Sequence, residues 1–536
     1  MLPSLFFLLS DTSVQVAAAT CPAPVPALYP APVVRDGFEA RLVVSGLKKP
    51  RGVIVDSKGR LLVIEAGKGI THLRIKDDGW PCLSVEKTTT IVSRSDLNHG
   101  IELSIDGKTL YASSSNSVYS WAYDADAMRV SDEKSPKTLI SNMTNTGGGH
   151  STRTLLISRK QPGILLVSRG SGSNIDNGAT DHSSGISQIR AFDISDPDLG
   201  TPGGGKVYDY PSEGWTIGWG LRNSVGVAEE PNTGGIYSVE NSADGIKRFG
   251  VDIHEDSPGE EMNYHGVLRF PSSTSSNTSS SANQGQQQGG NHGYPYCLAL
   301  YNSSASLSFP SLGNLKTGSQ FTHDSTPYSI PFLPSSDSSA SQAKPINITA
   351  SDTSCSSTNF VPPRLTFPAH TAPLDIKFGK GSANQSLAYI SFHGSWDRST
   401  PAGYKLSAVL FDTSKGEPVE ANDSTTSLVD VMWNRDVTQC PGQCFRPVGL
   451  AVDGQERIWM TDDDKGDVWV LKRIGEVKDD EGADGGSGSE SGSVNGDSDS
   501  AAAPMRAKRS GSCAEWLGVG TSTMVAVVGS LLLTVL

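Results

Sequence analysis

The chain has 536 residues, enough for one large domain, and a formal net charge of −13. That balance excludes nucleic acid as a partner, because phosphate binding calls for clustered Lys and Arg, and it suits a soluble protein with a neutral substrate. Short Val/Ile/Leu/Tyr runs between Gly, Asp and Asn turns, with 57 Gly and 31 Pro in all, give an all-β patterning that excludes a helical bundle.

In chain order, residues 1–20 read as a signal peptide of atypical form. A short apolar run leads to an Ala-rich cleavage region, but there is no basic leader and Asp11 interrupts the run. From residue 21 to 474 one strand–turn–strand–turn–strand unit recurs six times. The copies are RGVIVDSKGRLLVIEAGKGITHLRI from Arg51, HGIELSIDGKTLYASSSNSVYSWAYD from His99, and GGGHSTRTLLISRKQPGILLVSRGSGSN, which closes with ISQIRAFDI. They continue with RNSVGVAEEPNTGGIYSVENSADGIKRF from Arg222, PLDIKFGKGSANQSLAYISFHGSWDRSTPAGYKLSAVLFD from Pro373 and RPVGLAVDGQERIWMTDDDKGDVWVLKR from Arg446. A four-stranded blade cannot bury both faces alone, so six such units predict blades stacked radially into a six-bladed β-propeller. A β-sandwich would also bury the strands but leaves the sixfold repetition unexplained.

Residues 271–360 interrupt the series with SSTSSNTSSSANQGQQQGG and a further Ser-rich run. This composition predicts a long, disordered and glycosylated surface insertion, its ordered part stapled by Cys297 and Cys355. Residues 475–512 read as an acidic Gly/Ser-rich stalk. Ser510, Gly511 and Ser512, a short spacer and the apolar MVAVVGSLLLTVL then match a glycosylphosphatidylinositol (GPI) anchor signal over 513–536, with a single membrane helix as the alternative. Cleavage near Ser512 leaves six of seven cysteines, and sequence order proposes Cys21–Cys82, Cys297–Cys355 and Cys440–Cys444 among the fifteen connectivities open to six. Sequons at Asn142, Asn277, Asn302, Asn347, Asn384 and Asn422 agree with an extracellular location.

In a propeller the heads of the inner strands and the turns between second and third strands share one face around the axis. The heads bring Arg51, Asn98, His99, His150, Arg153, Arg222, Asn223, His370 and Arg446; the turns are EAGKG, SSSNS, SRGSGSN, ENSADG, FHGSWDR and TDDDKG. Guanidinium concentrated in an acidic chain predicts a small polyanionic ligand, because Arg bonds carboxylates two at a time. TDDDKGD lacks the twelfth-position Glu of an EF-hand and reads as a solvated turn.

GGGHSTRTL, LRNSVGVA, VENSADG with PGEEMNYH, HGSWDRSTPAGYK and FRPVGLAVD together resemble the sorbosone/glucose dehydrogenase superfamily, and within it the fungal pyranose dehydrogenases, over roughly residues 40 to 473. The resemblance implies an extracellular enzyme that oxidises the anomeric hydroxyl of a pyranose with pyrroloquinoline quinone and Ca2+. Electrons would pass on to an external acceptor: a cytochrome, a copper oxygenase or a quinone. It implies His150 as the base, a role that an imidazole titrating near neutrality suits. It further implies a cofactor site containing Arg222, Asn223, Asn241, Arg398 and Arg446, with Arg51, Asn98, Arg153 and His370 lining the pocket. The backbone carbonyls of Ser242 and Ala243 would hold calcium. Here the chain has Asn-Ser-Ala where the glucose dehydrogenase has Gln-Gly-Pro, a change that carbonyl ligation tolerates. Trp396 stacks on cofactor or sugar, or else fills an interblade core; His99 and His370 remain open as alternative bases. A calcium-dependent lactonase and a non-catalytic surface platform are the rival functions, although the lactonase needs carboxylate heads where this chain has Arg.

Overall fold

The computed structural model describes residues 21–145, 148–270, 289–302, 310–324, 327–330, 346–356, 358–381 and 384–475. The expected signal peptide, the stalk from residue 476 and the anchor signal lie outside the described residues. No helix among the described residues is long and apolar enough to cross a membrane.

Six sheets form the blades of a propeller, antiparallel except where Tyr208–Asp209 runs parallel to Lys137–Ser141 at the edge of the second. Blade 1 runs outward from the axis as Pro50–Val55, Leu61–Glu65, Gly69–Asp77 and Leu83–Ser93. The inner strands of blades 2 to 6 are Leu97–Leu103, Leu155–Ile157, Ser224–Glu229, Pro373–Lys380 and Pro447–Val452. Blade 6 takes its outermost strand from the other end of the chain: Phe38–Val44 pairs with Asp467–Arg473, Phe38 opposite Arg473.

The strands read as unbroken apolar runs, not alternating ones, because each blade is covered on both faces. Leu61–Glu65 is buried at every position. The core is accordingly a ring of six clusters, one between each pair of neighbouring blades. Leu62 and Ile64 of blade 1 meet Leu97, Ile101 and Trp121 of blade 2, and Trp459 of blade 6 meets Val53 and Leu61 of blade 1.

Close to the axis the blades touch through backbone. A Cβ on Gly52 would lie 2.1 Å from the carbonyl oxygen of His99, one on Gly100 2.1 Å from that of Arg153, and one on Gly449 2.2 Å from that of Arg51. Each inner-strand glycine thus lets one blade press against the head of the next. Hydroxyl groups fasten the same seams: Thr461 donates to Arg51 O at 2.6 Å, Ser113 to Arg153 O at 2.6 Å and Ser391 to Val448 O at 2.5 Å. These contacts fix the inner-strand heads that form the axial site.

The insertion has the expected ordered part stapled by Cys297–Cys355, and this part carries a core that its composition did not suggest: Cys297–Ala299 pairs with Gln320–Thr322, and Tyr294, Leu298, Leu300 and Phe321 form a buried cluster with Ala243 and Ile246. The polar runs on either side hide this small apolar centre from a composition argument. The structure contains the three disulfides in the proposed pairing.

Candidate active site

His150 stands at the head of blade 3. Its backbone N–H donates to Ser171 O at 3.0 Å, and its ring Nδ1 lies 3.1 Å from that carbonyl and 3.0 Å from Ser171 Oγ. A carbonyl can only accept, so Nδ1 carries the proton and Nε2 keeps its lone pair. Nε2 has no partner among the described residues and is not among the fully enclosed polar atoms. Burial, and after it the Arg222 guanidinium, push the His150 pKa down to about 3. Arg153 is placed differently from its expected cofactor role. It is fully buried and donates to the carbonyls of His150, Thr152 and Met143 at 2.9, 2.7 and 2.6 Å, so it shapes the loop from behind.

Arg222 links this loop to blade 4. Ser171 N donates to Arg222 O at 2.8 Å. The guanidinium donates to Asn241 O (3.2 Å), Ser242 O (2.6 Å), Asn174 Oδ1 (2.8 Å) and Asp244 Oδ2 (2.8 Å). The expected calcium carbonyl of Ser242 therefore already receives a cation, with its second lone pair left for a metal. Ala243 is buried against the insertion. Beneath the turn, Glu260 accepts from Ser242 N at 2.7 Å and Ala372 N at 3.1 Å, and burial raises its pKa to about 6. Asn241 Nδ2 donates to Pro373 O at 2.5 Å, and Asn223 O accepts from Asn241 N at 3.1 Å.

His370 is held on both sides. Nε2 meets His254 O at 2.5 Å and Nδ1 lies 3.4 Å from Asp244 Oδ1. Burial lowers its pKa, but Asp244, Glu260 and the His254 carbonyl outweigh it and leave the group above the ordinary histidine value. A histidine so disposed holds charge and is a poor base. His99 is buried with Nδ1 unpartnered, and burial together with Arg51 and Lys377 keeps it neutral. Of the three histidines, His150 alone has its tautomer set by a ring hydrogen bond, which leaves the lone pair on Nε2; His99 Nε2 likewise has no partner among the described residues.

Blades 5, 6 and 1 meet in a second charged group. Arg51 Nη1 donates to Asp463 Oδ2 at 2.7 Å, His393 Nε2 lies 2.8 Å from Asp463 Oδ1, and Arg446 Nη2 lies 3.1 Å from His393 Nδ1. Asp463 belongs to the TDDDKG turn, whose expected solvation is therefore corrected: burial would raise its pKa, but His393 and Arg51 hold it well below the carboxylate range. Asn98 Nδ2 donates to Ser151 O at 2.8 Å and so ties blade 2 to the His150 loop. Arg398 reaches Ala369 O at 3.4 Å and Asp256 at 3.5 Å, near the rim and beside His370. Trp396 is 64% exposed, which removes the interblade-core alternative.

Sequence reasoning missed Asp463, His393, Asp244 and Glu260. Asp244 and Asp463 sit in turns whose spacing matched no metal loop, and the partners of Asp463 come from other blades. The repeat alignment could have found Asp463, since it follows the second strand as Asn241 does in blade 4.

The fold and its charged axial face define a propeller with clustered arginines and an adjacent neutral histidine. The chain belongs to the TrAA12-like family, which it matches over residues 32–474. It is 43% identical to a pyrroloquinoline quinone-dependent sugar dehydrogenase of Hypocrea jecorina, over 83% of this chain and 90% of that protein. A pyrroloquinoline quinone-dependent pyranose dehydrogenase of Coprinopsis cinerea is 34% identical over 82% of this chain but only 54% of its own length. Two solved structures are similar: the calcium structure of the Trichoderma reesei family AA12 enzyme (TM-score 0.72, 42% identity, 85% of this chain and 100% of that one) and the holo quinone domain of the Coprinopsis enzyme (TM-score 0.70, 31% identity, 84% and 99%).

Proposed function

We propose that this chain oxidises pyranose sugars at the anomeric hydroxyl, with pyrroloquinoline quinone as cofactor, His150 as base and a Ca2+ ion at the Asn241–Ala243 turn. The observation that carries the reading is the His150 tautomer: Nδ1–H is fixed on Ser171, and Nε2 offers a lone pair beside the Arg222 cluster.

The residues fit a tricarboxylate. Arg446 has no carboxylate partner among the described residues, and its guanidinium lies 5.5 Å over the Tyr404 ring. Arg51 and Arg222 are each paired with one carboxylate, so the site is less positive than a count of its arginines implies; Arg51 keeps further donors, whereas the five N–H groups of Arg222 are all engaged by Asn174, Asn241, Ser242 and Asp244. Arg446 and Arg51 would hold the cofactor's carboxylates, with Arg222 adding its charge beside them, and the Ser242 and Ala243 carbonyls would hold calcium. When bound, the quinone supplies two-electron acceptance and calcium polarises the accepting carbonyl as a Lewis acid. His150 Nε2 takes the hydroxyl proton from the sugar. Ser171 holds the ring in that tautomer, and burial keeps its lone pair free at neutral pH while making it a weaker base than a free imidazole.

Secretion, attachment through a GPI anchor, and delivery of electrons to an external cytochrome, copper oxygenase or quinone belong to the same proposal. They are motivated by the terminal segments, the sequons and three disulfides. Purified apoprotein given quinone and calcium should reduce an artificial dye with aldoses or keto-aldoses. Lactone hydrolysis without quinone would establish the hydrolase instead, and neither activity would leave a binding platform. Release of the protein from intact cells by a phosphatidylinositol-specific phospholipase checks the anchor.

A further inference from the structure

We propose that Asp463 is a positioning residue that aims two arginines, Arg51 and Arg446, at the anionic cofactor; this rests on the quinone reading above. A guanidinium has only donors, so the 3.1 Å contact between Arg446 Nη2 and His393 Nδ1 makes Nδ1 an acceptor. The ring proton then sits on Nε2 and is donated to Asp463 Oδ1 at 2.8 Å. The other oxygen of Asp463 accepts from Arg51 at 2.7 Å. One carboxylate therefore ends two directed chains, Arg446 to His393 to Asp463 and Arg51 to Asp463, drawn from three neighbouring blades. The remaining contacts of the Arg446 guanidinium, to His393 O and Gly394 O, are longer at 3.3 and 3.4 Å, so the ring contact is its firmest anchor. Nη1 of Arg446 and Nη2 of Arg51 make no hydrogen bond among the described residues, which leaves each arginine a donor for a carboxylate.

The direction of these bonds makes the carboxylate irreplaceable by its own amide. In Asp463→Asn one side of the group becomes NH2. Facing His393, it forces the ring proton onto Nδ1, against the Arg446 donors. Facing Arg51, it opposes that guanidinium directly. In either orientation one arginine loses its aim.

The test is a fluorescence titration of purified apoprotein with pyrroloquinoline quinone in calcium buffer, using wild type, Asp463→Asn, Arg446→Gln and the double variant, each checked for a cooperative thermal transition. We expect Asp463→Asn to weaken quinone binding by about tenfold or more, as for other broken charge-paired contacts. Its effect should shrink when Arg446 is already Gln, because the two act in one chain. Affinity equal to wild type, or strictly additive effects of the two changes, overturns the proposal and leaves Asp463 as blade-joining structure. Wild type that fails to bind quinone overturns the cofactor reading and this proposal with it. Should Asp463→Asn not fold, His393→Ala cuts the same chain at its middle: weakened quinone binding supports the proposal, and unchanged binding overturns it.

Discussion

His150 shows how far an environment can move a residue from its ordinary chemistry. Sequence pattern singles it out by three glycines and its place in the repeat, and a free imidazole would lose its lone pair to protonation near pH 6.5. Burial and Arg222 hold the folded group at about 3 instead. A lowered pKa moves the acid limb of a base-dependent rate to lower pH. Turnover limited by His150 should therefore stay level from pH 7 to about pH 4; a decline centred near pH 6.5 in kcat/KM profiles would mean that a less enclosed group is the base. His150→Ala should lower kcat by roughly 10²–10⁴-fold, the range for losing a general base, and still titrate with quinone. Glu260 gives a second expectation. Its two oxygens accept from two backbone N–H groups, one within the turn proposed to hold calcium, at Ser242, and one at Ala372 before blade 5. Glu260→Gln turns one oxygen into a donor, so calcium affinity measured by calorimetry should fall by several-fold while the thermal midpoint drops only modestly.

At the scale of strands and turns, the blade pattern was legible because both-faced burial writes unbroken apolar runs, and the turn residues punctuate them. LLVIE of blade 1 and IWMTD of blade 6 look alike because both are covered on two sides. What the pattern could not convey is contact between blades. Arg153 and Arg222 are both Arg at inner-strand heads, yet one faces backward into carbonyls and the other into the site; only packing separates them. The apolar centre of the insertion was masked by its flanking Ser and Gln runs. Gly100 stands beside His99 at the head of the second repeat, and in the fold a Cβ there would meet Arg153 O at 2.1 Å and Ser113 Oγ at 2.5 Å. Gly100→Ala should destabilise by about 1–3 kcal/mol, as overpacking does, and should also shift the His150 loop through Arg153. Thermal unfolding together with quinone titration checks both effects.

Across the whole molecule, two sets of buried groups oppose one another in pH. His99, His150, His265 and His292 have lowered pKa values, mainly through burial. The unfolded chain binds their protons first, so the stability they give is complete above about pH 6.5 and is withdrawn as pH falls, by roughly 1.4 kcal/mol per pH unit for each. Burial raises Glu102, Glu240, Glu260, Glu261 and Asp462, with Glu260 at about 6 and Asp462 at about 7. These bind protons in the folded state first and add stability as pH falls from 7 toward 4.5, where their effect saturates. Stability should therefore change little from pH 7 to about pH 5 and drop steeply below about pH 4.5, a profile that urea melts at stepped pH would show. A steady loss beginning at pH 6.5 would mean that the carboxyl groups are not protonated as their burial requires. The closure of blade 6 bears on synthesis. Blades 1 to 5 can form in order as a ribosome delivers them, each roofing the one before. The apolar Phe38, Leu42, Val43 and Val44 emerge early, and their strand partner, Asp467–Arg473, is among the last described residues to be made. A nascent chain must keep that edge shielded for nearly the whole of translation, and a product that stops short of residue 467 is an open arc whose uncovered edge invites pairing with other chains. For this architecture length acts as a threshold, and truncation removes the molecule rather than trimming it.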